Sequence, residues 1–173
     1  MRSLDKHELK ELLVKCWMTH DGLWFYHCLQ ECGIEKTSGM NQAAARTMGT
    51  IEAKRIIRAL GIEKVETFEA LTELVEKGFD LVRGDFMQFD FSFPSRNTMH
   101  FETSQCFAHD GIKRMGAIDG YDCGIFARVA GWFDGLGIRY EVNPPVEGCL
   151  MHTDGKCYRD FRFFFQESSD HKG

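Results

Sequence analysis

The sequence predicts an α+β fold, in which a four-stranded, mainly antiparallel sheet made of two hairpins carries helices packed on one face. Two observations predict it. Apolar residues recur with a helical period over residues 1–80 and with a period of two from Asp85 onwards. In the second half, two segments with hairpin signals are separated by a helical segment. We therefore expect one domain over residues 1–166, with a helical half (1–80), a sheet half (85–166) and a disordered tail (167–173).

The first helix is predicted from about Asp5 to Gly33, with Gly22 as a candidate break. Its apolar stripe has helical spacing and is expected to face the core. The stripe consists of Leu9, Leu12, Leu13, Cys16, His20, Leu23, Trp24 and His27. The segment GIEKTSG (33–39) follows it and is expected to form a turn.

Two more helices complete the predicted helical half. One runs from Asn41 to Leu60 and ends at Gly61, because glycine commonly terminates helices. The other is expected to be capped by Thr67, whose hydroxyl suits the first position of a helix. Its apolar residues, which make an inward stripe, are Phe68, Leu71, Leu74 and Val75.

In the sheet half, the segment FMQFDFSF (86–93) alternates apolar and polar residues, which is typical of a strand with one buried face. The turn segment PSRN (94–97) and a returning strand make it a hairpin. A short helix over GIKRMG (111–116) and a longer one over residues 123–136 follow. The last hairpin is expected to turn at Asp154-Gly155, between strands near Tyr140 and Phe161.

The charge of the chain limits its partners. Its formal net charge is −5 and its pI is about 5.8, so it has no basic stripe to neutralise nucleic-acid phosphates or anionic membranes. No apolar run approaches the ~20 residues that span a bilayer, and the first residues lack the apolar core of a signal peptide. We expect a cytoplasmic protein that binds neither nucleic acid nor membrane.

Cysteines form the strongest chemical signal in the sequence. Cys149 and Cys157 flank the predicted Asp154-Gly155 turn, Cys123 begins the preceding helix, and Cys106 lies close upstream. Thiolates bind zinc strongly, and four of them, or three with a carboxylate or imidazole, close a tetrahedral site. The alternative is that these are ordinary buried thiols, because free cysteine is among the most buried residue types.

The stretch from Cys123 to Phe165, with CGIFARVAGWFDGLGIRYEV, GCLMHTDGKC and YRDFRF, resembles the 4-vinyl-reductase domain. The resemblance implies that Cys123, Cys149 and Cys157 hold a structural zinc ion. Pro144 stands where the family has a glutamate ligand, so Cys106 is the first choice for the fourth ligand. The alternatives are His109, Glu141, Glu147 and His152. The whole chain also resembles an uncharacterised set of small cytosolic proteins with a WMTHDGLWF helix.

The stripe of the first helix offers a second candidate site. His20, Trp24 and His27 combine imidazoles and an indole N–H with an apolar surface, as in the wall of a ligand pocket. We expect this pocket between the sheet and the N-terminal helices. The alternative is that these residues are core positions whose polar atoms are hydrogen-bonded.

These observations favour a sensor-type protein that binds a small aromatic or heterocyclic molecule and contains a structural zinc ion. Haem is a less favoured cofactor, and a homodimer is compatible with the sequence. The alternative function is hydrolysis of a small heterocyclic or amide substrate by a zinc-bound water or an activated cysteine. Binding is preferred because no specific general acid and base can be identified.

Overall fold

The computed structural model describes residues 2–165, and the predicted tail (167–173) lies outside them. The fold is α+β, with a four-stranded antiparallel sheet in the order β1-β2-β4-β3. The strands are β1 (Gln88–Ser92), β2 (Thr98–Gln105), β3 (Arg139–Asn143) and β4 (Cys157–Phe164). Phe91 pairs with Phe101 across β1 and β2, and Met99 pairs with Phe161 across β2 and β4. The predicted hairpin around residues 94–97 is therefore confirmed.

The described residues also form five α-helices: α1 (Lys6–Leu60), α2 (Phe68–Val82), α3 (Phe107–Arg114), α4 (Gly124–Gly135) and α5 (Leu150–Thr153). Thr67 caps α2 by accepting a hydrogen bond from the Ala70 N–H, as the sequence predicted. None of the helices within residues 2–165 is long and apolar enough to cross a membrane.

The helix α1 reverses direction at a single residue, Gly33. Trp17 and Glu52 both contact the Arg128 guanidinium, so they lie close together. In a straight helix the 35 residues between them would place them about 52 Å apart. Gly33 has φ 72° and ψ 171°, a backbone conformation that residues other than glycine rarely adopt. The predicted end of the first helix at Gly33 is confirmed. The predicted break at Gly22 is wrong, and the predicted turn over residues 33–39 is limited to Gly33, because residues 34–39 are helical. We call residues 6–32 the first arm and residues 34–60 the second arm.

The second arm packs against α4 with the two backbones in direct contact. A Cβ atom added to Gly131 would lie closer than 3.0 Å to the Arg46 carbonyl oxygen, and one added to Gly135 would lie 2.7 Å from the Thr50 carbonyl oxygen. Thr50 Oγ1 lies 3.2 Å from the Gly131 carbonyl oxygen. Only glycine allows this approach, so these positions set the distance between the helices.

The core is built from aromatic rings between the sheet and the helices α2 and α4. Phe101, Phe161 and Phe163 project from the sheet, and Phe126 and Phe133 project from α4. Their centroids lie about 5 Å apart in edge-on pairs, for example 5.2 Å for Phe101–Phe126 and 4.8 Å for Phe133–Phe163. The aromatic residues of these elements therefore fill the interior instead of lining a cavity.

The connection between β3 and β4 differs from the prediction. Asp154-Gly155 was expected to join two strands in a tight hairpin, but Cys149 begins the one-turn helix α5 and Asp154 follows its last residue. The strands β3 and β4 are still antiparallel neighbours. A helical turn competes with the hairpin here because the Asp154 N–H donates to the Leu150 carbonyl oxygen at 2.8 Å.

The direction of the first-arm stripe was also predicted wrongly. Its eight residues, expected to face the core, are exposed: Leu9, Leu12, Leu13, Cys16, His20, Leu23, Trp24 and His27. The arm instead buries its other side, through Glu11, Val14 and Phe25. Both sides of this arm carry apolar residues at helical spacing, so periodicity alone could not decide which side was covered.

Candidate metal centre

Four cysteines converge at one corner of the sheet, which we call the cysteine corner: Cys106, Cys123, Cys149 and Cys157. The first three occupy the position before the first turn of α3, α4 and α5, and Cys157 begins β4. Strand pairing places Cys157 opposite Thr103, near the end of β2. The Cys123 N–H donates to the Gly148 carbonyl oxygen at 3.2 Å, which joins the start of α4 to the start of α5.

All four thiols of the cysteine corner are buried and free, whereas Cys16 and Cys32 are exposed. Burial raises the pKa of the Cys123 thiol to about 12 and that of the Cys157 thiol to about 11. Burial also raises the pKa of Cys106, with a smaller contribution in the same direction from Cys149. Such mutual effects require the thiols to be close in space, so the structure brings together residues that are up to 51 positions apart in sequence.

The four cysteines are not among the described groups of three or more side chains whose ligand atoms lie close enough together to hold one metal ion. Among residues 2–165, one set of three ligand side chains has all its ligand atoms within 4.8 Å of one another, namely His7, Glu11 and Asp85. That set is mostly exposed, and the buried Glu11 carboxylate already accepts the Asp85 N–H at 3.1 and 3.2 Å. The cysteine corner has the better donor set for zinc, because thiolates are typical ligands of structural zinc sites.

A buried arginine that the sequence did not predict lies next to the cysteine corner. Arg159 is only 1% exposed and lies on the inner face of β4, two residues from Cys157. Its guanidinium packs over the Phe126 ring, and Nη1 donates to the Tyr158 carbonyl oxygen at 2.8 Å. Within the described residues no carboxylate pairs with it, and Nε has no hydrogen-bond partner. The signal was available in the sequence, since Arg159 shares its face of β4 with Phe161.

A charged group in this position is costly unless negative charge compensates it. Arg159 and Cys157 are close enough that the guanidinium acts to lower the pKa of the Cys157 thiol, against the larger effect of burial. A thiolate at Cys157 would therefore be favoured by its neighbour. The corner thus combines four thiols with one cation that lacks a described counter-charge.

A small open cavity of about 200 Å³ adjoins the cysteine corner. Cys106, His109, Asp110, Met151 and His152 are among its lining residues. His109 Nδ1 lies 2.9 Å from Asp110 Oδ1, and this hydrogen bond holds the pKa of Asp110 below its usual value. The cavity therefore presents a thiol, two imidazoles and a carboxylate to a bound molecule.

The other candidates for the fourth metal ligand are less buried than Cys106. His152 is exposed and pairs with Asp119 at 2.9 Å, while Glu141 and Glu147 are also exposed. Of the candidates for a fourth metal ligand, only Cys106 is buried. Of the three predicted pocket residues, His20, Trp24 and His27, none lines this cavity.

A second, broader cavity of about 610 Å³ lies along the second arm of α1 and includes Thr47, Met48 and Ile51 in its lining. His20, Trp24 and His27 do not line this cavity either, because all three are exposed on the first arm. The prediction that these residues form a pocket between the sheet and the helices is therefore wrong, since that interior is filled by aromatic side chains.

The fold and this corner define an α+β protein with a buried four-cysteine cluster at one end of an antiparallel sheet. The chain belongs to a family of unknown function, DUF6125, whose model matches residues 2–129. The match contains the helical half, the first hairpin, Cys106 and Cys123, and it ends before Cys149 and Cys157. No curated protein and no solved structure matches the chain.

Proposed function

We propose that the protein binds a small molecule and is held together at the cysteine corner by a structural zinc ion on Cys106, Cys123, Cys149 and Cys157. The observation that carries the metal is the pairing of four buried thiols with the buried Arg159. Zinc bound by four thiolates has a net charge of −2. Such a site would compensate the positive charge of Arg159, which no described carboxylate pairs with, and Arg159 would in turn compensate the site. The resemblance of residues 123–165 to the 4-vinyl-reductase domain supports Cys123, Cys149 and Cys157 as ligands, and Cys106 is our choice for the fourth.

A zinc ion held by four thiolates is coordinatively saturated, and such sites are structural. It would tie α3, α4, α5 and β4 together at one point. This arrangement supports binding over hydrolysis, because a saturated ion has no position for a reacting water.

The cavity beside Cys106 is our candidate for the ligand site. At about 200 Å³ it is smaller than the roughly 300–1,000 Å³ of typical drug-sized sites, so it suits a small ring or one end of a longer molecule. His109 and His152 offer ring nitrogens, and Met151 offers an apolar surface. A small heterocycle with polar ring atoms matches this lining.

The cavity lies beside Cys106, and this position also supports the alternative function, hydrolysis of a small substrate. If only Cys123, Cys149 and Cys157 held the ion, a water facing the cavity could complete the coordination, and the protein could hydrolyse a small heterocyclic or amide substrate. The variant Cys106→Ser separates the two functions. A structural tetrathiolate site should lose most of its affinity for zinc, whereas a three-cysteine catalytic site should keep it.

The metal is tested by elemental analysis of protein purified without added metal. We expect close to one zinc per chain, and Cys157→Ser should lose both the zinc and much of the stability, since binding of a structural ion is folding free energy. Cys32→Ser is the matched control, because Cys32 is exposed and should be dispensable. A metal-free wild-type chain that is fully folded would refute the site.

The ligand is tested separately, by native mass spectrometry of the purified protein. We expect a small co-purifying molecule that is lost in the double variant His109→Ala/Met151→Trp. The first change removes a polar contact, and the second fills the cavity. Retention of the molecule in this double variant would place the site elsewhere and contradict the proposal.

A further inference from the structure

The outward side of the first arm carries an apolar surface that the described part of the protein does not cover. Leu9, Leu13, Cys16, His20, Leu23 and His27 follow one another at alternating intervals of four and three residues. This is the spacing of the a and d positions of a coiled coil. All six are exposed, and we call them the seam.

The seam lies opposite the side that attaches the arm to the protein. The buried residues Glu11, Val14 and Phe25 are on the attached side, where Phe25 stacks edge-on with Tyr121 at 5.9 Å. At 100° per residue, the average direction of these three differs from that of the seam by about 180°. A partner could therefore lie along the seam without contacting the sheet.

The exposed apolar surface is at the upper end of the roughly 300–600 Å² that the largest apolar patch of a single chain usually covers. Leu9, Leu12, Leu13, Leu23 and Trp24 are each 47–61% exposed. With about 150–250 Å² for each fully exposed large side chain, they and Tyr26 present roughly 500–600 Å². Two such surfaces give roughly 1,000–1,200 Å², which reaches the roughly 1,000 Å² that a specific interface needs and lies just below the range of standard stable interfaces.

We propose that a second copy of this chain docks on the seam, with the two first arms antiparallel and the two-fold axis near Met18. In this register Leu13 faces Leu23 of the other copy, Leu9 faces its His27, and Cys16 faces its His20. A second copy supplies a partner with the same four-three spacing. The central residues carry the choice of direction, because a parallel pair would also match leucine with leucine but only the antiparallel register gives each central thiol an imidazole. A parallel pair would bring His20 against His20 and His27 against His27.

Charge and flanking residues agree with this arrangement. The seam contains no lysine, arginine, aspartate or glutamate, and Lys10 is the only charged residue at the e and g positions between Leu9 and His27. In the antiparallel register Lys10 lies beside Trp24 of the other copy, where its methylene groups can cover the ring. Leu12 lies beside Tyr26 of the other copy. The polar Cys16–His20 layers at the centre would fix the register, as buried polar a positions do in coiled coils.

The proposal is tested first by the mass of the protein in solution, measured by light scattering coupled to size exclusion. We expect a dimer of twice the 19.9 kDa chain mass. The double variant Leu13→Glu/Leu23→Glu should raise the dimer dissociation constant at least about 100-fold, because it buries like charges at central positions. Met40→Glu is the control, since Met40 is a similarly exposed apolar residue of the second arm and lies off the seam. It should remain dimeric.

Leu13 and Leu23 are both exposed in the single chain, so the double variant should keep the far-ultraviolet circular dichroism of the wild type. A wild-type protein that is monomeric at micromolar to millimolar concentration would overturn the proposal. A dimer that Leu13→Glu/Leu23→Glu weakens no more than Met40→Glu does would also overturn it.

Direction is tested by disulfide formation in a background with Cys16, Cys28 and Cys32 replaced by serine. The variant Leu13→Cys/Leu23→Cys should form a covalent dimer on oxidation, because these positions share a layer. Leu13→Cys alone should not, because the two copies of residue 13 would lie about 15 Å apart along the axis. Efficient cross-linking of the single variant would show a parallel pair and contradict the antiparallel arrangement. The proposal does not depend on zinc, so it can fail or succeed independently of the cysteine corner.

Discussion

Replacing Gly131 by alanine should lower the free energy of unfolding by about 2 kcal/mol, although alanine is the stronger helix former. The added methyl would meet the Arg46 carbonyl group of the second arm, a backbone atom that cannot rotate away. Overpacking of this kind costs up to about 3 kcal/mol, and the helix propensity of alanine offsets about 1 kcal/mol of it. Relief requires α4 to move away from α1, which would also weaken the contact of Gly135 with Thr50.

The measurement is urea denaturation followed by circular dichroism, at one protein concentration for all variants. Gly39→Ala is the matched control, because Gly39 lies in the same helix α1 with no atom within 4 Å of an added Cβ. It should raise the free energy of unfolding by about 0.5–1 kcal/mol. If Gly131→Ala were as stable as the wild type while Gly39→Ala behaved as expected, the close backbone approach would be wrong.

Two further variants test the attachment and the reversal of α1. Glu52→Ala should lower the free energy of unfolding by about 3 kcal/mol, because the carboxylate accepts hydrogen bonds from Arg128 at 2.7 and 2.8 Å and its loss leaves a largely buried cation unpaired. The control Glu73→Ala breaks an exposed pair with Lys77 and should change the free energy of unfolding by less than about 0.5 kcal/mol. Equal losses in the two variants would contradict the reasoning. Gly33→Ala should cost about 1–3 kcal/mol through backbone strain alone, since no atom lies within 4 Å of the added methyl. Thermal unfolding should show this loss, and an unchanged midpoint would mean that the chain reverses in another way.

Most of the fold could be predicted because its local signals agree with its tertiary structure. The alternation around Phe89 and Phe91 predicts β1, and the turn residues 94–97 fix its pairing with β2. Thr67 and Gly61 mark real helix ends. The reversal of α1 was harder, because a segment with several turn-forming residues, GIEKTSG, stays helical after its first glycine. Packing of Ile34 against Gly120 and burial of Thr37 and Ser38 outweigh the weak helix propensity there.

The candidate site could be predicted in its members but not in its surroundings. The resemblance implied Cys123, Cys149 and Cys157, and their spacing made Cys106 the first choice for a fourth ligand. The structure buries all four thiols, and their role as metal ligands stays a prediction. The buried Arg159 was missed because arginine is ordinarily assigned to an exposed position, although the alternation in β4 places it on the same face as Phe161. The pocket residues His20, Trp24 and His27 were misplaced for a different reason. Periodicity identifies residues that share a face of a helix, and it carries no information about what covers that face.

The position of β4 in the sheet has a consequence for how the chain folds. β4 follows every other described element in sequence, yet it lies between β2 and β3. Until residues 157–164 leave the ribosome, β3 has no hydrogen-bonded neighbour and the edge of β2 stays open to wrong partners. The helical half and the first hairpin can form early from local contacts, but completion of the sheet must wait for its central strand. A nascent chain stopped before Cys157 should therefore be the form of this protein most dependent on chaperones.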